Sequence, residues 1–126
     1  MSRTPLLVDT SVAVALVVAG HEAHDHVLEF LDRKLLGLAG HAWFETYSVL
    51  TRLPAPARRR PAEVAEILGT NFPESRFLPE AAARRLVDRL AALEISGGAV
   101  YDGLVGATAA HHHLTLVSRD RRAIET

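Results

Sequence analysis

Two short apolar runs, Leu6-Leu7-Val8 near the start of the chain and Leu114–Val117 near its end, each stop abruptly at a cluster of hydroxyls and acids. Asp9-Thr10-Ser11 follows the first and Ser118-Arg119-Asp120 the second. Consecutive apolar residues suit a strand covered on both faces, as in a parallel sheet, and residues that favour helix caps turn the chain into a helix straight after it. In between, the apolar spacing is mainly helical. Short strands alternating with helices predict an α/β chain with a small parallel sheet flanked by helices, doubly wound because crossovers are right-handed. Such sheets take ligands at the carboxyl ends of their strands, near the point where the strand order reverses. Asp9 and Asp120 fall at two such ends.

The spacing predicts helices over 12–18, 22–36, 41–53, 62–68, 80–93 and 99–112. Pro54 and Pro56 close the third, Pro61 suits the first turn of the fourth, and Gly97-Gly98 breaks the chain before the last. Gly37–Gly40 and Arg76–Leu78 are weaker strand candidates. With 126 residues and neither repeat nor linker, one domain over 1–126 is expected, and 48% hydrophobic content supplies its core.

Composition removes several chemistries. The absence of cysteine excludes disulfides, thiol nucleophiles and Cys-ligated zinc or iron–sulfur sites. Fourteen Lys+Arg against fifteen Asp+Glu give no global basic field, though a local patch remains open. The longest apolar run, Val12–Ala19, is far short of the ~20 residues of a membrane span, and the first residues do not resemble a signal peptide. A soluble cytoplasmic protein with no membrane partner is the expectation. Neither G-x-G-x-x-G nor a G-x-x-x-x-G-K-[ST] loop occurs, which removes the usual dinucleotide and nucleoside-triphosphate sites. A phospho-acceptor receiver would want paired acids after the first strand and a late lysine, yet the one lysine is Lys34. A haloacid-dehalogenase-like phosphatase would want an Asp where Ser11 stands.

Four acids occupy places where a solvated charge is unexpected: Asp9, Glu45, Asp102 and Asp120. Asp9 also suits a helix N-cap, a role Thr10 or Ser11 could fill. Glu45 lies in Ala-Trp-Phe-Glu-Thr-Tyr-Ser-Val-Leu, where a carboxylate must be paired, metal-bound or open to a cleft. Asp102 sits early in its helix, where the dipole favours an anion, and Asp120 could pair with Arg121 or Arg122. An α/β sandwich can bring all four to one rim. Like charges so gathered repel strongly unless a cation neutralises them, and an oxygen-only set suits Mg²⁺ or Mn²⁺ better than zinc.

Leu-Val-Asp-Thr-Ser (7–11), Glu-Thr-Tyr-Ser-Val-Leu-Thr-Arg-Leu (45–53), Val-Tyr-Asp-Gly-Leu-Val-Gly-Ala-Thr-Ala (100–109) and Ser-Arg-Asp-Arg-Arg-Ala (118–123) closely resemble the PIN-domain ribonucleases, and within them the VapC-type toxins of bacterial toxin–antitoxin pairs. The likeness runs over nearly the whole chain, four blocks in order. It implies a PIN-like three-layer sandwich and a Mg²⁺-dependent endoribonuclease, with Mn²⁺ as a substitute. It implies Asp9, Glu45, Asp102 and Asp120 as the catalytic, metal-holding acids, supported by Thr10, Ser11 and Ser118. It also implies an RNA substrate, a cognate antitoxin and a homodimer. Relatives usually run on past the last acid through a short helix and a further strand, whereas this sequence ends at Thr126. The alternative from another class is a non-catalytic module of the same fold that binds RNA or a partner.

Other features have plainer readings. His21, His24 and His26 suit a polar helix start, His111–His113 a helix end, and Gly103, Gly106, Ala107 and Ala110 a close-packing helix face. Arg52, Arg58–Arg60, Arg119, Arg121 and Arg122 are candidates for a phosphate-contacting rim. Trp43, Phe44 and Tyr47 are expected mostly in the core, with one able to reach an interface.

Overall fold

The computed structural model describes residues 4–119. The first apolar run forms β1 (Leu6–Val8), the middle strand of a three-stranded sheet in the order β2-β1-β3, with β2 at Leu36–Leu38 and β3 at Thr115–Val117. Both pairings are parallel: Leu7 lies opposite Gly37 on one side and Leu116 on the other. Flanked on two edges and covered by helices, β1 has no room for a polar residue, and Leu7 and Val8 are fully buried. Among the described residues the helices are α1 (Thr10–Val17), α2 (His24–Leu31), α3 (His41–Thr51), α4 (Pro61–Asn71), α5 (Glu80–Ala92) and α6 (Ala99–His111). The chain leaves β1 to form β2 on one side and returns to form β3 on the other. The strand order therefore reverses between β1 and β3, directly above Asp9 and Ser118.

The α/β sandwich matches the expected architecture, and the differences in detail have local causes. Helix α2 ends at Leu31 rather than 36, because Arg33 turns the chain at φ 63° and the Leu35 carbonyl accepts a bond from the Leu6 amide. The residues that helical spacing assigned to α2 are needed by the sheet. The strand expected at Arg76–Leu78 shrinks to one bridge, Ala39 with Arg76. Beside β2 the Leu38 amide donates to the Ser75 hydroxyl at 2.8 Å, so a side chain stands where a backbone carbonyl would extend a ladder. The Glu74 and Arg76 amides still donate to the Leu36 and Leu38 carbonyls, both at 3.0 Å. Gly37 is required there, since a Cβ on it would overlap the Glu74 carbonyl and the Ser75 amide.

Helix α3 buries Ala42, Thr46 and Leu50, one residue per turn, and that stripe corrects the expectation for its aromatics. Phe44 and Tyr47 fall off the stripe and are 64% and 39% exposed; Trp43 is half-buried. Helix α4 is longer than expected, running from Pro61 until Phe72, which is fully buried with Leu50 and Val64. Of the small-residue face of α6, Gly103 packs closely, a Cβ on it lying 3.2 Å from a methyl of Leu90 on α5, whereas Ala107 and Ala110 border an open cavity and Ala110 is exposed.

Candidate active site

Asp9 is placed by the end of β1. Its backbone is extended at φ −92°, ψ 178°, and its amide donates to the Val117 carbonyl at 3.3 Å, tying the turn to β3. One carboxylate oxygen, Oδ1, caps α1 by accepting from the Val12 amide at 3.1 Å and from the Ser11 hydroxyl at 2.7 Å. The other, Oδ2, accepts from the Ser118 hydroxyl. Capping and site duty are thus compatible, since the cap uses one oxygen and aligns the second. The local reading of Asp9 as an N-cap holds alongside its place in the pocket.

Above it opens a cavity of about 260 Å³, lined among others by Asp9, Thr10, His41, Glu45, Tyr101 and Asp102. Each acid arrives from a different element. Glu45 comes from the second turn of α3, where its side chain is 46% exposed, so of the choices open to a carboxylate among apolar neighbours it takes the cleft. Asp102 comes from the first turn of α6, where unpaired helix amides favour a negative charge. Ser11 also lines the cavity, and the Thr10 hydroxyl is buried without a hydrogen-bond partner. The structure brings Asp9, Glu45, Asp102, Thr10 and Ser11 to one pocket, with Ser118 bonded to its edge; Asp120 lies outside the described residues.

Besides Gly98 and Val105, two ring-bearing lining residues escaped the sequence reading. His41 opens α3 four positions before Glu45, and its Nε2 lies 3.8 Å from the Glu45 carboxylate. Tyr101 precedes Asp102 and stacks on the His41 ring, with centroids 4.3 Å apart and planes inclined by 21°. The i,i+4 spacing of His41 and Glu45 was the available signal for the first.

Other candidates lie elsewhere. No arginine or lysine is among the described residues lining the pocket. Arg58 donates to the Leu53 carbonyl and Arg60 to Glu63; Arg121 and Arg122 lie outside the described residues. His24 bonds the Ala15 carbonyl at 2.9 Å, joining α2 to α1, and His112 bonds the Phe77 carbonyl at 2.9 Å.

The donor set that lines the cavity is almost wholly oxygen, three carboxylates with Thr10 and Ser11 beside them. That chemistry fits a hard divalent ion such as Mg²⁺ or Mn²⁺. Among the described residues, no group of three His, Asp or Glu side chains is placed so as to hold a metal ion by itself. An ion bound here would keep several waters, as Mg²⁺ commonly does.

Comparison with known proteins bears on the family and the fold. The PIN domain family model matches residues 6–126. The sequence is 45% identical over 124 residues to ribonuclease VapC27 of Mycobacterium tuberculosis, covering 98% of this chain and 90% of that protein. It is 44% identical over 122 residues to ribonuclease VapC40 of the same species, covering 94% and 88%. Among solved structures, the Mycobacterium tuberculosis toxin VapC20, described as sarcin-ricin loop cleaving, superposes with a TM-score of 0.73 at 20% identity, over 94% of this chain and 92% of that one. A FitAB complex bound to a DNA fragment gives 0.67 at 18% identity, over 95% and 88%. Fold, order of the acid-bearing segments and sequence identity converge: the chain belongs to the PIN domain family.

Proposed function

We propose that the chain, as a single domain over 1–126, is a divalent-metal-dependent endoribonuclease of the VapC toxin type that acts in the cytoplasm. The observation that carries this reading is the acid pocket itself. Three carboxylates from β1's end, α3 and α6 share a cavity with no described arginine or lysine in its lining. Phosphate would be repelled from such a site unless a cation stood between. The names of the relatives supply the substrate class, RNA.

Asp9, Glu45, Asp102 and, from outside the described residues, Asp120 would hold Mg²⁺, with Mn²⁺ as a substitute. When bound, the ion would lower the pKa of a coordinated water and stabilise the charge that develops on the phosphate. The chain's own residues prepare that chemistry. Ser11, Ser118 and the Val12 amide fix the Asp9 carboxylate at both oxygens, so its orientation is set before substrate arrives. Glu45 and Asp102 keep the opposite side negative, which favours the cation and keeps bare phosphate away. Thr10 offers a hydroxyl free to bond a coordinated water or a phosphate oxygen.

The chain is also proposed to form a homodimer and to be silenced by a cognate antitoxin. Phe44 and Tyr47 on α3, exposed and apolar, support an interface there. A two-fold contact would be isologous.

The deciding experiment is RNA cleavage with Mg²⁺, with and without excess EDTA. Cleavage that EDTA abolishes and added Mg²⁺ restores is expected. Cleavage undiminished by EDTA would overturn the metal-dependent reading, and RNA binding without cleavage would leave a non-catalytic module of the same fold.

A further inference from the structure

The His41–Tyr101 stack is the one part of the pocket that neither the acids nor the core explains. Helix α3 meets the core through Ala42, Thr46 and Leu50, and α6 through Val105, Thr108 and Ala109, so the two rings meet outside the buried stripes of their helices. Tyr101 is 49% exposed although one of its faces is covered by His41. Gly98, whose carbonyl accepts from the Tyr101 amide at 3.1 Å, borders the same cavity, and open space surrounds its Cα. A large ring is therefore held, half bare, at the rim of an acid-lined cleft. His41 covers one face of the Tyr101 ring and has the Glu45 carboxylate 3.8 Å from its Nε2, so the other face of the tyrosine is the one left for a ligand.

We infer that this stack is a platform for an unpaired nucleobase next to the scissile phosphate, with Tyr101 as the contact surface and His41 as the positioning residue behind it. The inference rests on the ribonuclease reading and adds a determinant to it. Carboxylates repel the phosphate chain, so the described part of the pocket must attract RNA through groups other than phosphate. A base offers a neutral π-face, which stacks on an aromatic ring whatever its sequence. An aromatic surface beside the acids would anchor the nucleotide while the ion handles the charge.

The test measures binding of two end-labelled probes to Asp9→Asn protein, which prevents turnover: a single-stranded RNA of mixed sequence and an abasic ribose-phosphate chain of equal length. Tyr101→Ala should weaken the RNA about tenfold, the scale of one stacked base, and leave the abasic chain unchanged. Tyr101→Phe, which keeps the ring, should bind both probes as the parent does. In the cleaving protein, Tyr101→Ala should raise KM far more than it lowers kcat. Equal weakening of both probes, no weakening of either, a Phe variant as poor as Ala, or no preference of the parent for RNA over the abasic chain would each overturn the platform. The two readings fail separately. Wild-type protein that never cleaves while the base preference survives would sink the ribonuclease and spare the platform; cleavage without base preference would do the reverse.

Discussion

The two sides of the acid pocket are built on different principles. On the β1 side, Asp9 is gripped at both oxygens, by Ser11 and the Val12 amide on one and by Ser118 on the other, and it follows a fully buried strand. On the helical side, Glu45 is 46% exposed and its carboxylate lies 3.8 Å from the His41 Nε2, too long for a hydrogen bond. One side is fixed by the same bonds that hold the fold; the other is placed by helix geometry and left free to adjust. A site that grips an ion and then admits a flexible polymer, as proposed for this pocket, would have use for both. Rigidity positions the charge that cannot be off by much, and looseness accommodates the part of the substrate that varies.

The sharpest way to break this contrast is at the acids. Asp9→Asn keeps the cap and the shape but removes the charge, and RNA cleavage should fall by about a thousandfold or more while the melting temperature holds. Asp102→Asn should do the same. The double variant should be scarcely worse than either, because each alone disables a shared centre; additive losses in a single-turnover assay would argue against one centre. Next in size is Ser118→Ala, which frees one oxygen of Asp9 without touching its charge. Support of this kind is worth about 10–100-fold, and cleavage at saturating Mg²⁺ should show it.

Stability separates the two sides more finely. Asp9→Ala removes an N-cap and should cost about 1 kcal/mol in urea unfolding, whereas Glu45→Ala should stay within about 0.5 kcal/mol of the parent. Equal costs would mean that the helical side is as structural as the strand side. The smallest expected effect belongs to a surface acid outside the pocket. Glu63 accepts bonds from the Arg60 side chain at 3.2 Å and from its amide at 3.3 Å, and the Arg60 side chain is the main cause that holds its carboxyl below the ordinary carboxylate range. A carboxyl with a lowered folded pKa contributes stability above its unfolded value and loses it as pH falls through the folded one. Glu63→Gln should therefore lower stability slightly at neutral pH and change nothing once the pH is below the folded value, so that acid unfolding becomes slightly less steep.

How far the sequence could be read follows the same division. Leu6–Val8 and Asp9 were legible because a buried parallel strand and its cap leave unmistakable local chemistry. Asp102 was legible through its helix start, and Glu45 through its incongruity among apolar neighbours. What stayed hidden depends on which helix face turns inward. Phe44 and Tyr47 look like core by composition, yet the Ala42–Thr46–Leu50 stripe is what packs, and small residues do not advertise a buried face. Tyr101 could not be assigned to His41 before α3 and α6 were known to meet. The segment at Arg76 resembled a strand because its residues are apolar enough, but the Ser75 hydroxyl takes the bond that would have continued a ladder.

That same segment has a consequence for how the protein behaves in a crowded solution. A strand with bare amides and carbonyls along one side is a template on which a second molecule can add its own strand, and sheet growth from molecule to molecule begins there. With residues 74–76 laid against β2, the Leu36 and Leu38 carbonyls and the Leu38 amide are already spoken for. The bond from the Ser75 side chain breaks the regular repeat a newcomer would need to copy. Gly37 makes that closure sterically possible, so its missing side chain shuts the β2 edge of the sheet to a second molecule's strand.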